Sequence, residues 1–107
     1  MFARNVSIHL KSNMLSDYTR AFEKEVLPLL RKQNGFKDEI TFASPGGGVD
    51  VIAISLWENK NDADTYNTNT YPQVLTTLAR FLDGTPQVHT FDVVTSTFQK
   101  HDVLVAA

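Results

Sequence analysis

The sequence predicts a single α+β domain with the element order β-α-β-β-α-β. Two observations carry this prediction. Four segments alternate apolar and polar side chains with the period of two that a strand requires, and two other segments repeat apolar residues at the spacing of an amphipathic helix. The 107 residues are 42% hydrophobic, which fits one compact domain with a buried core.

Three of the predicted strands are bounded by clear changes of pattern. The first strand runs from Phe2 to Leu10, the third from Val49 to Trp57 and the fourth from Gln87 to Phe98. In the first strand, Arg4 falls on the same face as the apolar residues, whereas Asn5 falls on the other face.

The second strand begins at Phe36, and its alternation places Phe36 on one face together with Ile40 and Phe42. Residues 45–48 read Pro-Gly-Gly-Gly, which is a strong turn signal. The second and third strands are therefore predicted to form a hairpin.

Both predicted helices are interrupted by proline. Pro28 lies in the first helix, where it removes a backbone donor and is expected to kink the last turns before Gly35 ends the helix. Asn59 or Asn61 can cap the second helical region. Tyr71-Pro72 is expected to interrupt it, and Thr70 or Tyr71 to start a new helical piece.

This element order predicts a ferredoxin-like fold, in which two helices cover one face of a four-stranded antiparallel sheet. The other face then needs a different cover, because both faces of the third strand carry apolar side chains. One face carries Ile52, Ile54 and Leu56, and the other carries Val51, Ala53 and Trp57.

A second copy packed sheet against sheet is the simplest cover for the remaining face, so a homodimer is expected. Residues 1–100 are predicted to form the folded domain. The apolar tail at residues 101–107 can add a strand to the partner's sheet.

Composition excludes several function classes. The formal net charge of −2 does not favour nucleic acid or an anionic membrane as a partner. Cysteine is absent, so disulfides, thiolate catalysis and Cys-ligated metals are excluded, and no two His residues have metal-ligand spacing. The sequence has no signal-peptide pattern and no membrane-spanning apolar run, so a cytoplasmic protein without bound metal is expected.

Four stretches of the chain carry a resemblance to a known family. They are Phe2-Ala3-Arg4 in the first strand, residues 25–36 at the end of the first helix, Ser55-Leu56-Trp57-Glu58 at the end of the third strand, and residues 70–75 in the second helical region. Together they resemble the antibiotic biosynthesis monooxygenase family of dimeric α+β barrels.

This resemblance implies an activity without fixing it. The family includes cofactor-free monooxygenases that oxidise aromatic polyketides to quinones, quinol monooxygenases and haem-degrading enzymes. Asn5 and Trp57 match an Asn and a Trp of the haem-degrading branch, but no His lies between Lys60 and Leu82 to match its haem ligand. Haem degradation is therefore disfavoured, and no cofactor is expected.

The candidate catalytic residues are Asn5, Trp57 and His9, the last as a general base. Asn5, Ser7 and His9 share one face of the first strand, and Ser55 and Trp57 share one face of the third. If these faces coincide, they border a cavity between the helices and the sheet near Trp57, lined by Asn5, Ser7 and Trp57. The alternatives are that Trp57 simply fills the core and that His9 is a solvated bystander.

The remaining candidates are substrate-binding residues. They are Ser7, Ser55, Tyr66, Tyr71 and Arg80. The alternatives are that Tyr71 only marks a helix start and that Arg80 lies on the surface. The predicted function is cofactor-independent oxidation of a small aromatic or quinol-type molecule. The alternative is a non-catalytic small-molecule binding or accessory protein on the same fold.

Overall fold

The computed structural model describes residues 1–97, and in it four strands form one antiparallel sheet. The strands are β1 (Phe2–His9), β2 (Phe36–Ala43), β3 (Asp50–Trp57) and β4 (Gln87–Asp92). Their spatial order is β2-β3-β1-β4. Strand β3 of the hairpin pairs with β1, and β2 and β4 form the two edges of the sheet. The predicted ferredoxin-like α+β fold is confirmed.

The first helical region contains a π-helical turn at Phe22–Val26, between α1 (Leu15–Ala21) and α2 (Leu27–Arg31). Pro28 explains this irregularity, because it has no N–H to donate and its ring clashes with the carbonyl one turn earlier. The N–H of Leu27 donates instead to the carbonyl of Phe22, five residues back. The expected break at Pro28 therefore takes the form of a π-helical turn.

The second helical region is divided at Thr70 into α3 (Lys60–Asn69) and α4 (Tyr71–Leu78), and a 3-10 turn follows. The side chain of Asn59 caps α3 by accepting a hydrogen bond of 3.0 Å from the N–H of Asp62, as expected. Within residues 1–97, no helix has both the length and the apolar character needed to cross a membrane. The cytoplasmic location stays a prediction.

The sheet has two unlike faces. The helices pack on one of them, called here the covered face, and the opposite one is called the open face. The covered face carries the buried residues Phe2, Arg4, Val6 and Ile8 of β1, and Val51, Ala53, Ser55 and Trp57 of β3. The open face carries Ala3, Asn5, Ser7 and His9 of β1, and Ile52, Ile54 and Leu56 of β3.

A β-bulge near the start of β2 changes the predicted faces of that strand. Phe36 pairs with Trp57, but Asp38 pairs with Leu56, so the register shifts between Phe36 and Asp38. Phe36 therefore lies on the covered face, with its ring centroid 5.6 Å from that of Trp57. The prediction that Phe36 shares a face with Ile40 and Phe42 is wrong, because strict alternation does not survive a bulge.

Strand β4 is shorter than predicted. It ends at Asp92, which pairs with Phe2, the first residue of β1. One further bond, 3.0 Å from the N–H of Val93 to the carbonyl of Met1, extends the pairing. The predicted end at Phe98 and the tail at residues 101–107 lie outside the described residues.

The turn at Gly35 generates a prediction about stability. Gly35 has φ 77°, and a Cβ there would collide with the carboxylate and Cβ of Asp62; Gly46 has φ 75° but open space around it. The left-handed conformation alone costs an Ala side chain about 1–2 kcal/mol at either position. Gly35→Ala should therefore lower the free energy of unfolding by more than Gly46→Ala, as measured by urea denaturation. Equal losses in the two variants would show that Asp62 moves aside freely.

Candidate functional site

A charged side chain lies inside the core. Arg4 is only 3% exposed, although it lies on the covered face of β1 between the buried residues Phe2 and Val6. Its neighbour on β3 is Ser55, which is also buried. Arginine is almost never this deeply buried unless other groups interact with its guanidinium.

The contacts of Arg4 hold its guanidinium in place without neutralising its charge. Nη2 donates a hydrogen bond of 2.7 Å to Oδ1 of Asn67. Cζ lies 4.0 Å from the ring centroid of Tyr71 and 5.1 Å from that of Tyr66, which is cation–π geometry. No carboxylate forms an ion pair with Arg4 within residues 1–97, and burial lowers the pKa of its guanidinium.

A cavity of about 40 Å³ lies beside Arg4, between the helices and the covered face. At about 10–15 Å³ for each water molecule, it has room for roughly three waters. Its polar walls come from Arg4, Ser55 and Glu39 on the sheet and from three tyrosines, Tyr18, Tyr66 and Tyr71, on the helices. The other walls are mostly aliphatic, which is the usual composition of a small-molecule site.

The tyrosines bring hydrogen-bond donors to this cavity. The hydroxyls of Tyr18 and Tyr71 are buried, and neither donates a hydrogen bond to an acceptor among the described residues; the oxygen of Tyr71 lies against the guanidinium of Arg4. Leaving a buried hydroxyl unpaired costs about 1–3 kcal/mol, so both favour a bound molecule that accepts their protons. Burial raises the pKa of Tyr66 to about 12 and also raises the pKa of Tyr18 and Tyr71, so all three stay protonated near neutral pH.

The acidic wall of the cavity is Glu39. It pairs with Ser55 across the β2–β3 ladder, and Ser55 pairs with Arg4 across the β3–β1 ladder. Glu39, Ser55 and Arg4 thus form a polar row across the covered face. The hydroxyl of Thr41 donates a hydrogen bond of 2.6 Å to Oε2 of Glu39, and burial raises the pKa of the Glu39 carboxyl.

Trp57 supports the cavity without lining it. It is fully buried, and its Nε1 donates a hydrogen bond of 2.9 Å to Oγ of Ser55. Its ring packs between Phe36 and Tyr66, whose centroids lie 5.6 Å and 5.1 Å away. Trp57 therefore fills the core behind Tyr66 and fixes both Tyr66 and Ser55, which do line the cavity.

Comparison with known proteins identifies the fold. No family model matches the chain, and no curated protein sequence matches it significantly. SnoaB, a cofactor-independent oxygenase from Streptomyces nogalater, matches with a TM-score of 0.75 and 10% identity, over 90% of this chain and 95% of its own. The monooxygenase from the gene ActVA-Orf6 of Streptomyces coelicolor, in complex with nanaomycin D, matches with 0.74 and 16%, over 89% and 88%. Rv0793 from Mycobacterium tuberculosis matches with 0.69 and 12%, over 90% and 97%.

The chain has the fold of the antibiotic biosynthesis monooxygenases. The resemblance inferred from the sequence is confirmed at the level of fold. Identities of 10–16% show a shared architecture, and such plaits host unrelated chemistries, so activity must be argued from the site.

Three predicted site residues lie away from the cavity. Asn5, Ser7 and His9 project from the open face, where Asn5 pairs with Ile54, so the expected meeting of Asn5 and Trp57 does not occur. The prediction of a cavity lined by Asn5, Ser7 and Trp57 is wrong. The helices cover the face of β1 opposite to Asn5 and Ser7, and Trp57 lies on the covered face but behind Tyr66. The space beside Trp57 is filled by aromatic rings.

His9 is the last residue of the inner strand β1, where two aspartates lie close to its ring. Its Nδ1 lies 2.9 Å from Oδ1 of Asp50, and its Nε2 lies 4.0 Å from Oδ2 of Asp83. About half of its side chain is exposed. It lies on the open face and does not line the cavity, which is on the other face of the sheet. Within residues 1–97, no three His, Asp or Glu side chains form a group that could hold a metal.

The second helical region contributes two of its three predicted residues. Tyr66 and Tyr71 line the cavity together with Ser55 of β3; their role in binding stays a prediction. Arg80 lies outside the cavity on the surface, where Nη2 is 3.7 Å from Oε2 of Glu25 and Cζ is 4.5 Å from the Phe81 ring centroid.

The sequence interpretation overlooked Arg4, Tyr18 and Glu39. One signal was available for Arg4, because it is the single charged residue on the apolar face of the first strand. Tyr18 has no distinguishing signal, since its spacing is that of an ordinary core residue of the helix. Glu39 lies on an edge strand whose covered face could not be assigned from alternation alone.

The buried charge generates a prediction that separates binding from stability. Replacing a buried ion pair by apolar residues of similar volume is often neutral or stabilising, and a buried charge without a counter-charge lacks even the attraction that offsets its desolvation. Arg4→Met should therefore lower the free energy of unfolding by less than about 1 kcal/mol, or raise it, despite the burial of Arg4. Thermal and urea denaturation measure this effect.

The matched control is Ile8→Ala, on the same strand and face, which should cost about 2–5 kcal/mol. If Arg4→Met destabilises the protein as much as Ile8→Ala does, then Arg4 is retained for folding, and its place in a binding site loses support.

Proposed function

We propose that this protein is a cofactor-independent monooxygenase that oxidises a small aromatic or quinol-type molecule in the cavity beside Arg4. The observation that carries the proposal is a buried arginine without a counter-charge in residues 1–97. Beside it lie tyrosine hydroxyls that donate no hydrogen bond to another described residue. Such a site stabilises an anion that carries an oxygen acceptor. The neighbouring fold includes SnoaB, a cofactor-independent oxygenase, which agrees with this reaction class.

The proposed reaction needs an anionic form of the substrate. An activated aromatic CH₂ group loses a proton, and the electron-rich carbanion combines with O₂ to form a peroxide. The protonated peroxide then loses water and leaves a carbonyl, so that CH₂ and O₂ become C=O and H₂O. The electrons come from the substrate, and the protein must therefore favour the anion over its neutral parent.

Arg4 performs this task by electrostatics. Its side chain is buried beside a largely apolar cavity, where its positive charge acts on the oxygen that shares the negative charge of the anion. The hydroxyls of Tyr18 and Tyr71 donate hydrogen bonds to the same region. The rings of Tyr66 and Tyr71 provide flat walls for an aromatic molecule, and they remain uncharged near neutral pH because burial raises the pKa of both.

The size of the cavity constrains this proposal. Its volume of about 40 Å³ is well below the ~150 Å³ of an engineered cavity that binds benzene. An aromatic substrate therefore enters only when the walls separate. Tyr71 is only partly buried, and it is the first residue of α4, directly after the break at Thr70. Movement of its side chain is the proposed route by which the substrate enters the cavity.

The alternative function is non-catalytic binding of a small aromatic anion. The same buried charge supports it, because a buried arginine beside a cavity can hold an anion without any subsequent chemistry. The two functions are distinguished by turnover: a monooxygenase consumes O₂ in proportion to its substrate, whereas a binding protein takes up only the ligand.

Oxygen consumption provides the direct test. With a panel of anthrones and quinols, the wild-type protein should consume one O₂ for each molecule oxidised, as measured with an oxygen electrode. Arg4→Met should lower kcat/KM by roughly 10²–10³, the usual effect of removing one group that stabilises a developing anion. Arg80→Met removes an exposed arginine outside the cavity and should retain wild-type activity.

Two results would count against the monooxygenase. Ligand binding without O₂ uptake across the panel would favour the binding protein. Equal O₂ uptake by the Arg4→Met and wild-type proteins would show that the reaction takes place elsewhere.

We propose in addition that the protein is a homodimer in which two open faces pack together. The open face carries large apolar side chains that one chain leaves exposed: Phe91 by 55%, Ile40 by 52% and Phe42 by 50%. Exposed apolar patches of this kind usually mark an interface. The cavity lies on the covered face, within one subunit, so the dimer stabilises the sheet without completing the site.

Sedimentation velocity tests the dimer. The wild-type protein should sediment as a dimer, and Phe42→Glu should shift it to a monomer at micromolar concentration, because a buried unpaired carboxylate opposes association. Ser16→Glu places the same charge in the first turn of α1, away from the sheet, and should remain dimeric. A monomeric wild-type protein would overturn the proposed dimer.

A further inference from the structure

The cavity contains one carboxylate, and the reaction proposed above leaves its proton acceptor unassigned. Among the side chains that line the cavity in residues 1–97, Glu39 is the single acidic one. It lies on the covered face of β2, paired with Ser55, and Ser55 pairs with Arg4. Glu39 and Arg4 thus line the same cavity from β2 and β1, the strands on either side of β3.

The spacing of this row suits a single bound molecule. Adjacent strands lie about 4.8 Å apart, so the backbones of β2 and β1 are separated by roughly 10 Å at this level. Ser55 between them has a small side chain, which leaves space above the central strand. A molecule in that space meets a carboxylate at one end and a guanidinium at the other.

Hydrogen bonding leaves one oxygen of Glu39 available. Oε2 accepts the hydrogen bond from Thr41, while Oε1 has no hydrogen-bond partner in the described part of the chain. Burial disfavours the charged form of this carboxyl and raises its pKa, which makes it a stronger base than an exposed glutamate. Arg4 forms no ion pair with it that would oppose this effect.

The other titratable groups around Glu39 do not compete for the proton. Tyr18 of α1 and Tyr66 of α3 face it, and both are protonated near neutral pH because burial raises the pKa of each. Asp38 is adjacent in sequence but projects from the open face, and its charge adds slightly to the raised pKa of Glu39.

We propose that Glu39 is the general base that takes the substrate proton while Arg4 holds the resulting anion. This inference rests on the proposed function. The substrate C–H bond, or the O–H bond of a quinol, breaks; its electron pair stays on the substrate, and the proton moves to Oε1 of Glu39. After O₂ adds to a carbanion, Glu39 returns the proton to the peroxide, which loses water and leaves the carbonyl. Glu39 ends the cycle as a carboxylate.

Proton counting tests this role without requiring turnover. The probe is a nitrophenol, whose anion absorbs visible light, added at a pH below the pKa of the free phenol. In the wild-type protein, the bound phenol should show the absorbance of the phenolate, with no net proton released to the buffer, because Glu39 keeps it. Calorimetry in two buffers of different ionisation enthalpy measures the number of protons released.

The Glu39→Gln variant preserves the shape of the side chain and its contact with Thr41 but cannot accept the proton. It should bind the nitrophenol either as the neutral phenol or as phenolate with about one proton released for each site. With an oxidisable substrate, its kcat should fall by roughly 10²–10⁴, the usual contribution of a general base. Glu23→Gln makes the same chemical change at an exposed residue of the first helical region that does not line the cavity, and it should behave like the wild-type protein.

Each result decides the proposal. Release of about one proton by the wild-type protein on phenolate binding, or unchanged kcat in Glu39→Gln, would overturn the role of Glu39. Proton retention without O₂ uptake would overturn the monooxygenase but support Glu39 as the acceptor. If the wild-type protein binds no phenol and consumes no O₂, both proposals fall. If Glu39→Gln does not fold, Glu39→Asp, which withdraws the carboxylate by one methylene, should give a partial loss of kcat.

Discussion

The burial of one positive charge governs the design of this site. The guanidinium of Arg4 is removed from water in the middle of the sheet, and a hydrogen bond to Asn67 and two aromatic rings hold it there. A hydrophobic residue would suit that position better for folding alone. The fold therefore carries an electrostatic cost beside the cavity, and the presence of an anion there would offset it.

Packed aromatic rings surround the guanidinium of Arg4. Phe36, Trp57, Tyr66 and Tyr71 form a continuous run of ring contacts from the edge strand to the second helical region, with centroid distances of 5.1–6.1 Å. Trp57 is the centre of this run and is fully buried. Its ring packs against that of Tyr66, which lies over Arg4, and its Nε1 donates a hydrogen bond to the hydroxyl of Ser55 in the cavity wall.

Local sequence signals predicted most of the fold. The alternation in β1 and β3, the glycine turn before β3, the Asn59 cap and the proline breaks all appear where they were expected, because each depends on chemistry within a few residues. The errors arose where a distant partner decides. The extent of β4 depends on its pairing with β1, and the face of Phe36 depends on a bulge in the pairing with β3.

The sequence by itself determined the order of the elements, the alternation within each strand and the presence of two unlike sheet faces. Only the tertiary structure decided which face the helices cover, and that choice places Arg4, Glu39 and three tyrosines beside the cavity, while Asn5, Ser7 and His9 lie on the other face. The physical reason is that side-chain alternation fixes which residues share a face, while helix packing decides which face is buried.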